Sequence, residues 1–371
     1  MTVGFFGPLP PARTGVAEYS AALLSELRKR VEVRLGDTRC EAKLYQIGNN
    51  AFHREAYELA LSQPGVVVLH DATLHHFLLG RMGRDEYLAE FTYNYGEWSR
   101  GLGEELWRDR GRAAADPRYF EYGLLRRVAE SATAVVVHNP GAAAAVVRHA
   151  PGARVVEVPH LLLPAIVVGA GECMDARRRL GVSPSTFLFG VFGHLRESKR
   201  LPAVLRVFRG LRADGVDCAL LVAGEFVSKE LERALESDVN GALVIRVGAM
   251  SEAELGILSH AVDACVNLRY PGGGETSGIA MRLMAAGKPV IVTSSPETSR
   301  IPETACLRVD AGPMEPEMLE AWMRWLCADR AAGREIGRRG AAYLAEHHRA
   351  ERVAEMILDV LGVSTASPDS R

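Results

Sequence analysis

No C-x-x-C pair occurs in this chain: its six cysteines, Cys40, Cys173, Cys218, Cys265, Cys306 and Cys327, lie scattered over 371 residues. That scatter argues against a zinc site and against a disulfide framework, and it fits a reducing compartment. An excess of charge of one sign is also missing. Lysine plus arginine number 44 against 46 acidic residues, so there is no global electrostatic footprint for nucleic acid. No apolar run is long enough to span a bilayer. The chain passes straight into the apolar residues 3–6 without a basic leader, so no secretory signal is expected. The cytoplasm is the expected location. The first loop reads GPLPPARTG and contains no G-x-G-x-x-G, which removes the main support for a nicotinamide-dependent oxidoreductase.

What is present is the composition of a folded enzyme, 48% hydrophobic and 24% charged, in a chain longer than one core usually serves. Two domains with a cleft between them are expected. Apolar runs at 3–6, 66–69, 134–137, 155–158, 187–192, 219–223, 243–247, 264–268 and 290–292 alternate with amphipathic stretches. Continuous hydrophobicity marks strands buried on both faces, and the alternation marks a parallel, doubly wound α/β protein. The chain repeatedly turns polar or glycine-rich where such a run ends: His70-Asp71, His138-Asn139, His160, Gly193-His194, Gly224-Glu225 and Thr293-Ser294. Ligands in open α/β sheets bind beyond the carboxyl ends of the strands, so these residues are the first candidates for a site.

A boundary is expected in 161–172, LLLPAIVVGAGE, which carries Pro164, Gly169 and Gly171. The expected division is therefore an N-terminal acceptor-binding domain over 1–168, a C-terminal donor-binding domain over 172–345, and over 346–371 a helix that crosses back to the first domain and ends in the frayed tail STASPDSR. The first domain carries a helical insertion at about 80–132 with nine aromatic residues, in a chain only 7% aromatic. A packed subdomain core is the favoured reading of these aromatics, ahead of a sugar-stacking or lipid-facing wall. His75 and His76 have no glutamate or cysteine at ligand spacing, so no metal site is expected there.

The most informative segment is Gly272-Gly273-Gly274-Glu275-Thr276-Ser277-Gly278 followed by IAMRLMAAGKPVIV: a glycine loop, a capped helix start and a strand. Thr276 or Ser277 can cap the helix, whose unpaired amides and dipole suit the phosphates of a nucleotide. This segment resembles the donor-site signature of retaining GT-B glycosyltransferases of family 4, written E-x-x-x-x-x-x-x-E followed by A-x-x-x-G-x-P-V. Three further segments resemble that family. FGVFGHLRESK places Gly193 in the family's glycine position and Lys199 in that of the diphosphate-binding lysine; His194 replaces the usual arginine and Arg196 offers a nearby cation. GPLPPARTG resembles the N-terminal glycine loop, with Thr14 and Gly15 for the glycine pair and Gly15 as the candidate for close backbone approach. VVVLHD places His70 and Asp71 where relatives carry an active-site histidine or acid.

One departure concerns the second glutamate of the signature, which usually holds the donor ribose: its position falls on Arg282, and the first falls on or beside Gly274 and Glu275. Glu275 and Arg282 then share one side of a helix, and Arg282 meets either an anionic donor group or a structural acid. The resemblance implies two Rossmann-like domains and a retaining hexosyltransferase-type enzyme with His70, Lys199 and Glu275 as its catalytic residues. Gly15, Gly193, His194, Arg196, Thr276, Ser277, Gly278 and Arg282 join Lys199 and Glu275 around the donor, and Thr14, Asp71 and His138 lie on the acceptor side. The expected partners are a nucleotide-diphosphate sugar and a glycan, lipid-linked or small-molecule acceptor, with no metal or other cofactor and no nucleic acid. Peripheral membrane contact and oligomeric state stay open. The alternative is a non-catalytic nucleotide-sugar-binding relative.

Overall fold

A computed structural model describes residues 1–164, 166–239 and 244–363. The expected tail at 364–371, the start of the apolar run at 243 and one boundary residue, Ala165, lie outside the described residues. Twelve strands are seen in the described residues: β1 (Thr2–Phe6), β2 (Glu32–Leu35), β3 (Ala42–Ile47), β4 (Val66–Leu69), β5 (Ala134–Val137), β6 (Val155–Glu157), β7 (Phe187–Phe192), β8 (Cys218–Ala223), β9 (Val244–Val247), β10 (Ala264–Asn267), β11 (Val290–Ser294) and β12 (Leu307–Asp310). They form two six-stranded sheets in the orders β2-β1-β3-β4-β5-β6 and β12-β11-β10-β7-β8-β9. Every pairing is parallel, and most successive strands are joined by a helical crossover.

The chain divides into two compact units. The first holds Met1–Leu163, Pro271–Thr276 and the chain from His348 on; the second holds Pro164–Tyr270 and Ser277–His347. The break at Leu163 falls inside the expected boundary segment. The return of Pro271–Thr276 to the first unit is not part of the division expected from composition, because a glycine-rich loop carries no label of the sheet it serves.

In the first unit the side chains of β3, β4 and β5 alternate between two cores. Tyr45, Ile47, Val67, Leu69, Val135 and Val137 join one, and Leu44, Val66, Val68, Ala134 and Val136 join the other. The second core is closed by Leu23, Leu24 and Leu27 of the helix Gly15–Arg28 together with Val353, Ala354, Ile357 and Leu358 of the helix Ala350–Val360. The helices between β4 and β5 send Tyr87, Phe91 and Tyr119 into the first core, with Tyr95, Trp107 and Tyr122 packed against it. Those aromatics are core; Trp98, at 80% exposure, faces solvent. In the second unit Phe187, Phe189 and Val191 of β7 lie with Leu220 and Val222 of β8 in a single core. No helix of the described residues is long and apolar enough to cross a membrane.

Candidate functional site

In the first unit the ends of three neighbouring strands deliver three histidines to one place. His70 follows β4, His138 follows β5 and His160 lies beyond β6, and their rings gather about Tyr19 of the helix Gly15–Arg28. Centroid separations are 4.7 Å from Tyr19 to His70, 5.2 Å to His138 and 4.9 Å to His160. His70 and His138 lie 5.2 Å apart. Each ring is oriented by an oxygen. His70 Nε2 donates to Gln46 Oε1 at 2.8 Å, His138 Nδ1 to the Val158 carbonyl at 2.9 Å and His160 Nδ1 to the Leu161 carbonyl at 2.8 Å.

Burial, which penalises the charged form, holds these imidazoles neutral. It brings the His138 pKa down to about 4. It lowers those of His70 and His160 well below the ordinary 6.5, with the neighbouring histidines adding to the effect. Tyr19 is pushed far up by the same burial. Asp71 takes a different path: its Oδ2 accepts the Asn49 amide at 2.8 Å.

The segment Pro271–Thr276 lies against this cluster's own strand ends. Asn139 Nδ2 donates to the Gly274 carbonyl at 2.9 Å and to Thr276 Oγ1 at 3.1 Å, while Asn139 Oδ1 caps the next helix by accepting Ala142 N at 2.7 Å. A Cβ at Gly274, whose φ is +74°, would stand 2.3 Å from the Ala72 Cβ, and one at Gly273 would stand 3.1 Å from Thr73 Cγ2. The glycines are therefore required by this close approach to Ala72 and Thr73. Glu275 closes the turn, its Oε2 accepting Gly273 N at 2.8 Å.

In the second unit, β7 ends at Gly193 and Lys199 returns to the same point. Lys199 is buried and its Nζ donates to the carbonyl of Phe192, the last residue of β7. A Cβ at Gly193, at φ +83°, would stand 3.3 Å from Lys199 Nζ and 3.2 Å from Cγ1 of Ile279 in the first turn of the helix Gly278–Ala285. The lysine, the glycine and that helix start thus share one spot. Ser277 is the N-cap, accepting Ala280 N at 3.2 Å. It also accepts Arg269 Nη2 at 3.2 Å, so a second cation reaches the same helix start. Opening amides of an α-helix have no intrahelical acceptor and carry the positive end of its dipole, so this spot suits an anion.

Several sequence-level expectations change here. Ser277 caps the helix and Thr276 does not, because Asn139 holds its hydroxyl. The helix starts at Gly278, so Glu275 lies in the preceding loop and does not share a helical face with Arg282. Arg282 Nη1 meets Glu252 of the helix Glu252–Ala261, which is the structural acid of the two partners considered for it. Thr14 caps the first helix by accepting Val16 N at 3.4 Å, and a Cβ at Gly15 would meet no protein atom within 4 Å. His194 and Arg196 are exposed beside the spot. The surrounding protein and the charges of Arg196 and Lys199 lower the His194 pKa. His75 and His76 are used internally: His75 bridges the Tyr122 carbonyl and the Tyr87 hydroxyl, and His76 reaches the Ala113 carbonyl. Among the described residues no cluster of three or more His, Cys, Asp or Glu is placed to hold a metal.

Tyr19, Gln46 and Arg269 are prominent in this geometry and escape the motif reading. Tyr19 sits in an ordinary amphipathic helix, Gln46 interrupts a strand that lacks a continuous apolar run, and Arg269 precedes the glycine loop by two turn residues.

No protein-family model and no curated protein sequence matches this chain. Solved structures do. The Anabaena protein HepE, in complex with UDP-glucose, aligns over 98% of this chain and 99% of its own at a TM-score of 0.69 and 12% identity. Sucrose-phosphate synthase from Thermosynechococcus elongatus aligns over 97% of this chain and 98% of its own, with a TM-score of 0.66 and 15% identity. WaaG, a glycosyltransferase involved in lipopolysaccharide biosynthesis, aligns over 97% and 99% respectively, with a TM-score of 0.59 and 15% identity. The chain therefore has the GT-B fold, with two Rossmann-like parallel sheets.

Proposed function

We propose that this protein is a retaining, metal-independent glycosyltransferase that moves a sugar from a nucleoside-diphosphate sugar to a hydroxyl of a glycan, lipid-linked or small-molecule acceptor. The observation that carries the reading is the convergence, within the second unit, of the buried Lys199 ammonium, Gly193 and the Arg269-braced start of the helix Gly278–Ala285. The names of the structurally similar proteins support it, and the UDP-glucose of the Anabaena complex makes a uridine donor the first to test.

A departing nucleoside diphosphate accumulates negative charge as its bond to the sugar breaks. Fixed cations and amide dipoles that already face that position stabilise it without reorganising. Lys199 supplies the cation, the helix start supplies amides, and His194 and Arg196 flank them. The acceptor oxygen attacks on the face the diphosphate leaves, and its proton passes to the departing phosphate oxygen. In the first unit His70 orients the acceptor hydroxyl or steadies the positive sugar, and Glu275 offers a carboxylate to the same chemistry. Asp71 and His138 border them, and Thr14 and Gly15 open the helix that carries Tyr19. Six free cysteines support a reducing, cytoplasmic setting.

Thermal-shift screening against UDP, GDP, ADP and dTDP sugars tests the reading, since a ligand that binds only the folded state raises its melting temperature. One donor is expected to raise Tm and to be consumed when acceptors are supplied. Failure of all four classes to raise Tm would overturn it, and binding with neither transfer nor slow hydrolysis would identify a non-catalytic binder.

A further inference from the structure

We propose that Gln46 is a positioning residue for His70, fixing the imidazole in its Nε2–H form so that Nδ1 is the ring's accepting atom. The inference deepens the role given to His70 above and rests on that reading. A carbonyl oxygen can only accept, so the 2.8 Å contact between Gln46 Oε1 and His70 Nε2 puts the ring proton on Nε2. The lone pair is then left on Nδ1, the atom that would accept from a hydroxyl.

Gln46 is costly where it is. It lies in β3, in the middle of the sheet, with no exposed surface, and its Nε2 has no protein hydrogen-bond partner. An unmade hydrogen bond from a buried amide costs about 1–3 kcal/mol. An apolar residue at this position would avoid that cost, so the amide is retained for the bond its oxygen makes. The surroundings hold it in place from two sides. His53 Nδ1 donates to the Gln46 carbonyl at 2.9 Å. At the end of β1, a Cβ on Gly7 would stand 2.5 Å from Gln46 Cβ and 2.9 Å from its Cγ, so a side chain at position 7 would displace the glutamine. Tyr19 meets the His70 ring edge-on.

The titratable groups facing His70 come from every neighbouring element: Tyr19 from the first helix, His53 from the turn after β3, His138 from the end of β5, and His160 from beyond β6. Asp71 is its neighbour in the chain. All four partners across space are neutral in the folded protein by burial, which leaves the uncharged amide of Gln46 as the group that chooses the tautomer.

The test uses full-length protein with 15N-labelled histidine. Ring 15N spectra of the wild type are expected to show His70 as a neutral Nε2–H tautomer. Gln46→Met, of similar length but without an acceptor, is expected to give a mixture of tautomers. Its kcat is expected to fall by about tenfold to a hundredfold, with the donor KM within twofold of wild type. Gln46→Glu keeps an acceptor and adds charge, so it is expected to retain the Nε2–H form, recover part of kcat and shift the acidic limb of the pH–kcat profile upward. Gly7→Ala is expected to resemble Gln46→Met. A wild-type His70 protonated on Nδ1, or an unchanged tautomer in Gln46→Met, overturns the proposal. If Gln46→Met fails to fold, an unmoved acidic limb in Gln46→Glu overturns it instead. A tautomer shift in a protein that transfers no sugar supports the positioning role while removing the transferase reading.

Discussion

Gly193 lies directly against Lys199, so that a single added methyl group would stand 3.3 Å from the lysine ammonium. The chain thereby joins a backbone requirement to a charge requirement at the end of one strand. Gly193→Ala must place an L side chain at φ +83°, a conformation that costs roughly 1–2 kcal/mol, and must also push on Lys199 or Ile279. A lower urea midpoint and at least tenfold weaker donor binding by calorimetry are expected. Wild-type donor affinity in this variant would separate Gly193 from the anion spot.

By the sequence resemblance Arg282 stands where a ribose-binding glutamate is expected, yet its guanidinium reaches Glu252, itself half exposed. Such pairs contribute about 0–1 kcal/mol. Arg282→Met is therefore expected to lower stability slightly and to change the donor KM by less than about twofold. A large rise in KM would place Arg282 at the donor instead.

Asn139 ties the segment Pro271–Thr276 to β5 and caps the following helix with the same amide group. Removing a cap costs about 1 kcal/mol, and leaving the Gly274 carbonyl without its donor adds about 1–3 kcal/mol. Asn139→Ala is expected to lose about 2–4 kcal/mol in total, read from denaturant unfolding. A loss below about 0.5 kcal/mol would show that the glycine turn is held by its contacts with Ala72 and Thr73 alone.

Acid should unfold this protein through its histidines. His53 and His138 have pKa values lowered to about 4, and His70 and His160 are lowered too, all by burial first. The same groups titrate near 6.5 when unfolded, so below that pH the unfolded chain binds more protons and is favoured. Stability is expected to be level above about pH 6.5 and to fall from there toward pH 5. The slope is about 1.4 kcal/mol per pH unit for each histidine that remains neutral only in the folded state. Urea midpoints at pH 7 and pH 5 measure it, and equal midpoints would contradict the buried, neutral cluster.

Much of this architecture is legible in the amino-acid order because a strand buried on both faces must be apolar throughout. Nine runs announce themselves in that way, and the polar residues that end them are the ones the first sheet brings together at His70, His138 and His160. Three strands are silent for physical reasons. β2 and β12 are edge strands whose outer faces carry exposed residues, and β3 is broken by Lys43 and Gln46. Gln46 escapes notice because its value lies in a contact with a residue 24 positions away. The glycine loop is the converse case. Gly273 and Gly274 make room for Ala72 and Thr73, a pairing across about 200 residues that no local pattern encodes. The helix start that follows is legible as an N-terminus, and its cap is Ser277, the second of the two candidates.

Isothermal titration of the nucleoside diphosphate that best stabilises the protein, beginning with UDP, into wild type and Lys199→Met bears most directly on the anion spot. Methionine retains the buried stem while removing the charge, and far-UV circular dichroism with the Tm verifies that the variant is folded. A charge-assisted contact of about 1.5–3 kcal/mol corresponds to a loss of roughly tenfold to a hundredfold in affinity, which is the expected result. Equal affinity of the two folded proteins would contradict the placement of the leaving nucleotide against Lys199 and the start of the helix Gly278–Ala285.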